Sequence, residues 1–183
     1  MSVHTFAWGI TLVTMSISPA FAEHLRIANF DSSTTEADWE IVNDTVMGGR
    51  SESGFAIENG QLRFSGTLNT NGGGFASIRS GPLQRNLSAY SIVRLRVLGD
   101  GRPYRLRLFV AGDRATYQHE FSTVAREWRV VELSINQFYA SRRGRPLERP
   151  PLVGAKVDAL GLMLADVVDG PFSLAVDWIE FDR

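Results

Sequence analysis

Apolar and polar positions alternate along much of this chain. In residues 92–98 (IVRLRVL), Val93, Leu95 and Val97 share one face and Arg94 and Arg96 the other. In residues 104–110 (YRLRLFV), Leu106, Leu108 and Val110 oppose Arg105 and Arg107. A period of two over seven residues is the pattern of a half-buried strand. The segments flank Gly99-Asp100-Gly101-Arg102-Pro103, which predicts an antiparallel hairpin with all four arginines on its solvent face. Like charges opposite one another repel, so nearby carboxylates, aromatic stacking or a bound anion must offset them, intramolecular carboxylates being the favoured reading. Further strands are expected at 25–30, 39–42, 55–58, 62–65, 75–79, 116–121, 128–135, 157–165 and 172–181, with Asn59-Gly60 as the best hairpin turn. Residues 138–139 read as a short helical turn and 141–151 as a basic, proline-containing loop. Ten or eleven short strands with regular turn signals and no long helix predict an all-β sandwich or jelly roll.

The stretch 39–80 holds two glycine clusters, Gly48-Gly49 and Gly72-Gly73-Gly74. Glycine costs more backbone entropy on folding than any other residue, so such runs need a reason. Tight turns between strands are one, with Gly49 at positive φ. Alternatively, Asp44, Met47, Gly48, Gly49, Arg50 and Ser51 form a loop beside Gly73 and Gly74 and present backbone N–H groups and a flexible apolar side chain to a protein partner. A pairing of Asp44 with Arg79 would instead make the motif a device for shaping the two loops.

Composition narrows the class. With 183 residues, 44% hydrophobic and 21% charged, the chain has enough material for one domain with a core. A formal net charge of -1 gives no reason to expect a nucleic-acid partner, and the absence of cysteine excludes disulfides, thiolate nucleophiles and Cys-ligated metals. Residues 6–17 form an apolar run followed by Ala20-Phe21-Ala22. This reads as a signal peptide over 1–22, although its start lacks Lys and Arg. The expected organisation is therefore one β-sandwich domain over 23–183, exported to the periplasm or secreted, with no transmembrane segment after cleavage.

Trp39, Asn43-Asp44, Val46-Met47-Gly48-Gly49, Ser51, Phe64-Ser65-Gly66 and residues 73–79 (GGFASIR) together resemble the signature of the complex I intermediate-associated protein 30 family. Residues 117–121, Trp128, 160–166 (LGLMLAD) and Gly170-Pro171-Phe172 extend the resemblance over nearly all of 23–183. It implies a galactose-binding-like β-sandwich, similar to carbohydrate-binding modules, and a role in assembling NADH:ubiquinone oxidoreductase. Mitochondrial members carry a transit peptide, whereas this chain reads as carrying a secretory leader.

Catalytic chemistry finds little support in the sequence. His24 and His119 lack a metal-binding spacing, and residues 49–54 (GRSESG) lack the G-x-S-x-G order and strand-to-helix setting of a nucleophile elbow. The triple glycine lacks the Lys-Ser/Thr of a phosphate loop. Asp166 and Asp169 are spaced for carboxylate chemistry, but in a turn they more often cap backbone N–H groups. Asp31, Asp177 and Asp182 show no ordered Ca²⁺ ligand spacing. No catalytic residue, cofactor or metal is assigned. The expectation is a non-catalytic module binding or chaperoning a protein. The alternative is a carbohydrate-binding module using Trp39, Tyr104, Tyr117, Trp128 or Trp178 with the arginine face. At least two of the three tryptophans are expected in the core.

Overall fold

The computed structural model describes residues 24–31, 39–152 and 157–183; the expected leader, 1–22, lies outside them. Thirteen strands occur among the described residues. In chain order they are β1 (His24–Ala28), β2 (Trp39–Ile41), β3 (Glu52–Glu58), β4 (Gln61–Leu68), β5 (Ala76–Ser80), β6 (Ile92–Leu98) and β7 (Pro103–Val110). They continue with β8 (Thr116–Ser122), β9 (Trp128–Ser134), β10 (Tyr139–Arg142), β11 (Arg145–Pro146), β12 (Val157–Leu164) and β13 (Gly170–Asp182). They form two antiparallel sheets in a jelly-roll sandwich. One sheet has the order β3-β4-β13-β6-β9, with β1 continuing the β4 side of the long β13; the other is β11-β10-β8-β7-β12-β5-β2.

Alternation identifies the inward residues correctly. Leu62, Phe64, Val93, Leu95 and Val97 of the six-stranded sheet face Leu106, Leu108, Leu160 and Leu162 of the seven-stranded sheet, all at most 1% exposed. Each such side chain contributes ~1.5–3 kcal/mol by leaving water. Phe172 ties the layers together, its ring centroid 4.9 Å from Phe64 and 6.5 Å from Tyr104. At Asn59-Gly60 both residues take positive φ (53° and 72°), the requirement of a two-residue hairpin turn, and β3 pairs with β4 around it.

Two expectations are corrected. β6 and β7 are not a hairpin: β6 pairs with β13 and β9, β7 with β12 and β8, and residues 99–102 carry the chain across the sandwich. Asp100 organises this crossing. Its carboxylate accepts from Arg102 N at 3.0 Å, the Tyr104 hydroxyl at 3.0 Å and Ser173 N at 2.9 Å. The four arginines therefore lie on two opposite outer surfaces. The second correction concerns residues 141–151. Arg143 and Gly144, at φ 51° and 75°, turn β10 into β11 as a hairpin, while the 3₁₀ turn falls at Ile135–Gln137, before Tyr139 starts β10. An arginine in a position that usually draws Asn or Asp hides the turn from a residue-type reading.

Candidate functional site

The glycine clusters do come together, around Asp44. Residues Asp44–Met47 form a 3₁₀ turn that ends at Gly48, in the left-handed region at φ 89°. The Asp44 side chain points inward and is fully buried. Its Oδ1 accepts from Ser51 N at 3.0 Å; Oδ2 accepts from the Ser51 hydroxyl and Gly74 N, both at 2.7 Å, and from Phe75 N at 3.3 Å. Burial works against ionisation here, but the Ser51 hydroxyl and the Gly74, Ser51 and Phe75 N–H groups outweigh it and hold the carboxyl below its ordinary range. Gly49 and Gly73 wall this carboxylate: a Cβ on either would lie 2.2 Å from an Asp44 carboxyl atom. The expected reason for Gly49, positive φ, is thus replaced by close approach, and positive φ belongs to Gly48, Gly72 and Gly74. The expected pairing of Asp44 with Arg79 does not occur; Arg79 stacks on the Phe109 ring, 4.2 Å from its centroid. The N–H groups of Gly74 and Ser51 are directed at Asp44, while Met47 and Arg50 are left exposed.

On the outer face of the six-stranded sheet, Arg26, Arg94 and Arg96 are paired with carboxylates. Across β1, β13, β6 and β9 the register sets Arg26, Glu180, Arg94 and Glu132 in one row. Arg26 lies 3.0 Å from Glu180, and Arg94 lies 2.9 Å from Glu132 and 2.5 Å from Asp182. Arg96 pairs with Asp177 and stacks 4.6 Å from the Trp128 ring centroid. Carboxylates and aromatic rings thus offset both arginines, as expected, and Asp177 and Asp182 serve as their partners. The tryptophan expectation is corrected: Trp39 is buried, whereas Trp128 and Trp178 are half-buried beneath arginines. Tyr104 and Tyr117 are buried too, which removes them as sugar platforms.

The seven-stranded sheet differs. On its outer face lies a groove of about 330 Å³ with Met47, Phe75 and Met163 at one end and Arg114 with the β10–β11 turn at the other. Arg105, Arg107, Thr116, Gln118 and Ser141 line it between them. Five arginines and no carboxylate line this groove. Arg105 reaches Glu120 at 3.2 Å, beyond the lining. Arg107 has no carboxylate in ion-pair range among the described residues. Among the described residues it donates one side-chain hydrogen bond, to the Thr116 hydroxyl at 3.3 Å, and its Nε has no partner. Met47, Arg105 and Arg107, named from sequence, meet here, while Arg94 and Arg96 lie on the opposite surface. Arg114, Arg142, Arg143 and Met163 escaped the sequence reading of the site, although the basic character of 141–151 was visible.

A second hollow, about 450 Å³ and lined by Ser88, Tyr90, Ile135 and Leu152 among others, carries no charged side chain. Asp166 and Asp169 are held in loop contacts. Asp166 receives a two-pronged bond from Arg102 (2.8 and 2.6 Å), and Asp169 accepts from Thr70 N at 2.7 Å. Among the described residues no group of three or more His, Cys, Asp or Glu is placed to hold a metal ion, and no helix is long and apolar enough to cross a membrane.

Comparison with known proteins agrees with the β-sandwich fold. The fold is similar to a family 11 carbohydrate-binding module from Clostridium thermocellum in complex with a β-1,3-1,4-mixed-linked tetrasaccharide, at a TM-score of 0.66 and 14% identity. The match covers 88% of this chain and 96% of that one. In sequence the chain is 30% identical over 166 residues to the mouse complex I intermediate-associated protein 30, mitochondrial, covering 77% of this chain and 51% of that protein. It is 24% identical over 170 residues to the Drosophila melanogaster protein of the same name, covering 81% and 57%. The chain thus spans about half the length of the curated relatives it matches. Their names correct the expectation of an exported, periplasmic or secreted protein, for they point to the mitochondrion. The apolar run at 6–17 was a compositional signal without the Lys or Arg that starts a secretory leader. Residues 28–176 match the sequence profile of one family, and the chain belongs to it: the complex I intermediate-associated protein 30 family.

Proposed function

We propose that this protein is a non-catalytic binding module that holds a protein segment exposed on a complex I assembly intermediate, in the groove of its seven-stranded sheet. The observation that carries this reading is the lining of that groove. Methionines at one end provide flexible, polarisable surface that adapts to varied side chains. Arginines along the rest supply fixed, forked donors that bind acidic groups but do not exchange protons near neutrality. Such a surface recognises rather than reacts. The family relation supports the assembly role, since the mouse and fly relatives are named for association with complex I intermediates.

A second reading, sugar binding, is favoured by one observation. Tyr139 is 42% exposed and is the one aromatic among the large exposed hydrophobics of the described residues. It lies opposite Gln118 on the same outer face, where a ring could stack on a pyranose.

The test uses a photo-crosslinking residue at Met47 and, as control, at Val130, which is 56% exposed on the six-stranded sheet. In respiring cells, cross-links from Met47 but not Val130 to a defined complex I subunit are expected. Equal yields from both positions, or products without any complex I subunit, would overturn the proposal. A thermal shift with neutral oligosaccharides, lost in Tyr139→Ala, would move the assignment to sugars.

A further inference from the structure

We infer that Arg107 anchors a carboxylate of an acidic protein segment laid along this groove, flanked by Arg105 and Arg114; the inference rests on the protein-binding reading above. The register places Arg107 between Gly161 of β12 and Gln118 of β8, so neither cross-strand neighbour can neutralise it. The space beside Gly161 is filled by the Phe109 ring. A Cβ there would sit 2.9 Å from Ile78 O and 3.0 Å from the Phe109 ring, so close packing excludes a larger residue. The Phe109 ring carries both guanidinium groups, Arg107 at 5.1 Å from its centroid and Arg79 at 4.2 Å. That stack orients the guanidinium but supplies no negative charge.

A largely buried cation without an ion-pair partner destabilises the protein that carries it. Burial, with help from Arg79 and Arg105, lowers the Arg107 pKa to about 10, and the group stays charged at neutral pH. The other groove arginines lie beside it, yet the whole chain carries a formal charge of only -1, so the surplus is local. Elsewhere the protein pairs outward arginines with Glu132, Asp177, Asp182 and Glu180. A guanidinium left open in a groove of like charges is complementary to a carboxylate, which its fork binds through two parallel bonds. Met47, Phe75 and Met163 at the end of the groove suit the aliphatic stem and neighbouring side chains of such a segment.

The test measures thermal unfolding of the full chain at constant ionic strength with pentaglutamate, pentaglutamine or trigalacturonate. Pentaglutamate is expected to raise the wild-type midpoint in a dose-dependent way, pentaglutamine to leave it unchanged, and Arg107→Met to weaken pentaglutamate binding roughly tenfold to a hundredfold. Without ligand, Arg107→Met should unfold at the wild-type temperature or above it, because an uncompensated charge has been removed. No response to pentaglutamate, an equal response to pentaglutamine, or an undiminished response in Arg107→Met would overturn the inference. A response to trigalacturonate alone would overturn the protein source. Should Arg107→Met fail to fold, Arg114→Gln at the exposed rim provides the reading: weaker binding is expected, and unchanged binding counts against the site. The two proposals fail separately. An Arg107-dependent response without a complex I cross-link from Met47 retains the anchor and removes the assembly partner; the reverse pattern removes the anchor.

Discussion

Asp44 shows how one buried carboxylate organises two loops that are distant in sequence. Four hydrogen bonds converge on it from Ser51, Gly74 and Phe75, and Gly49 and Gly73 leave no room for anything else. Asp44→Asn turns part of an acceptor into a donor facing other donors, at a cost of about 3 kcal/mol in chemical denaturation at neutral pH. The sign with pH follows from the lowered pKa. The carboxylate's contribution is complete above the unfolded-state value, about 3.9, and is lost as pH falls through the lower folded value. The gap between wild type and Asp44→Asn should therefore be constant from pH 5 to 7 and narrow below about pH 4. A gap that widened in acid would contradict this account. The adjacent glycines separate two causes. Gly49→Ala should cost about 2–3 kcal/mol through overpacking against Asp44, and much of that should disappear in an Asp44→Ala background. Gly48→Ala should cost about 1 kcal/mol from its positive φ, in either background. Equal coupling at both positions would remove the distinction.

At the level of elements, the alternating strands state which face is buried but not which neighbour they have. β6 and β7 present the same leucine and valine pattern because both face the core, from opposite sheets. The choice between a hairpin and a crossing is made by Asp100 and by the loop that follows β12. There Arg102 clamps Asp166 through two bonds and also donates to the carbonyl oxygens of Val168 and Pro171, the latter at 3.1 Å. Both partners are largely buried, with side-chain exposures of 15% and 9%. Burial opposes ionisation of Asp166, yet the Arg102 bonds prevail and keep its pKa below the ordinary value. Arg102→Ala leaves this carboxylate uncompensated and should cost about 3 kcal/mol. Arg102→Lys should restore only part of it, since an ammonium cannot reproduce the fork. Denaturation midpoints, with hydrogen exchange faster at 166–170, would check this; full rescue by lysine would show that charge alone suffices.

Considered whole, the molecule pairs Arg26, Arg94 and Arg96 of one outer surface with carboxylates, while on the other Arg107 has none in ion-pair range among the described residues. The row Arg26, Glu180, Arg94 and Glu132 leaves little for a ligand, and exposed pairs of this kind contribute little to stability. The groove concentrates cations beside methionines. Arg94→Gln should therefore leave the Met47 cross-linking pattern unchanged, whereas groove substitutions should alter it. Loss of cross-linking in Arg94→Gln would place the functional surface on the other sheet.

The sequence by itself determined the class of fold, the Asn59-Gly60 hairpin, the inward residues of the long strands and the family. Each depends on local spacing or on residues that stand close together in the chain. It also marked the glycine clusters as necessary, but not why, since the carboxylate that fills the space at Gly73 lies twenty-nine positions earlier. Only the tertiary structure decided that Arg94 and Arg96 meet carboxylates on one face while Arg107, identical in local pattern, meets none among the described residues on the other. Strand pairing is set by contacts between distant segments, and the charge environment of an outward side chain is fixed by whichever strands become its neighbours.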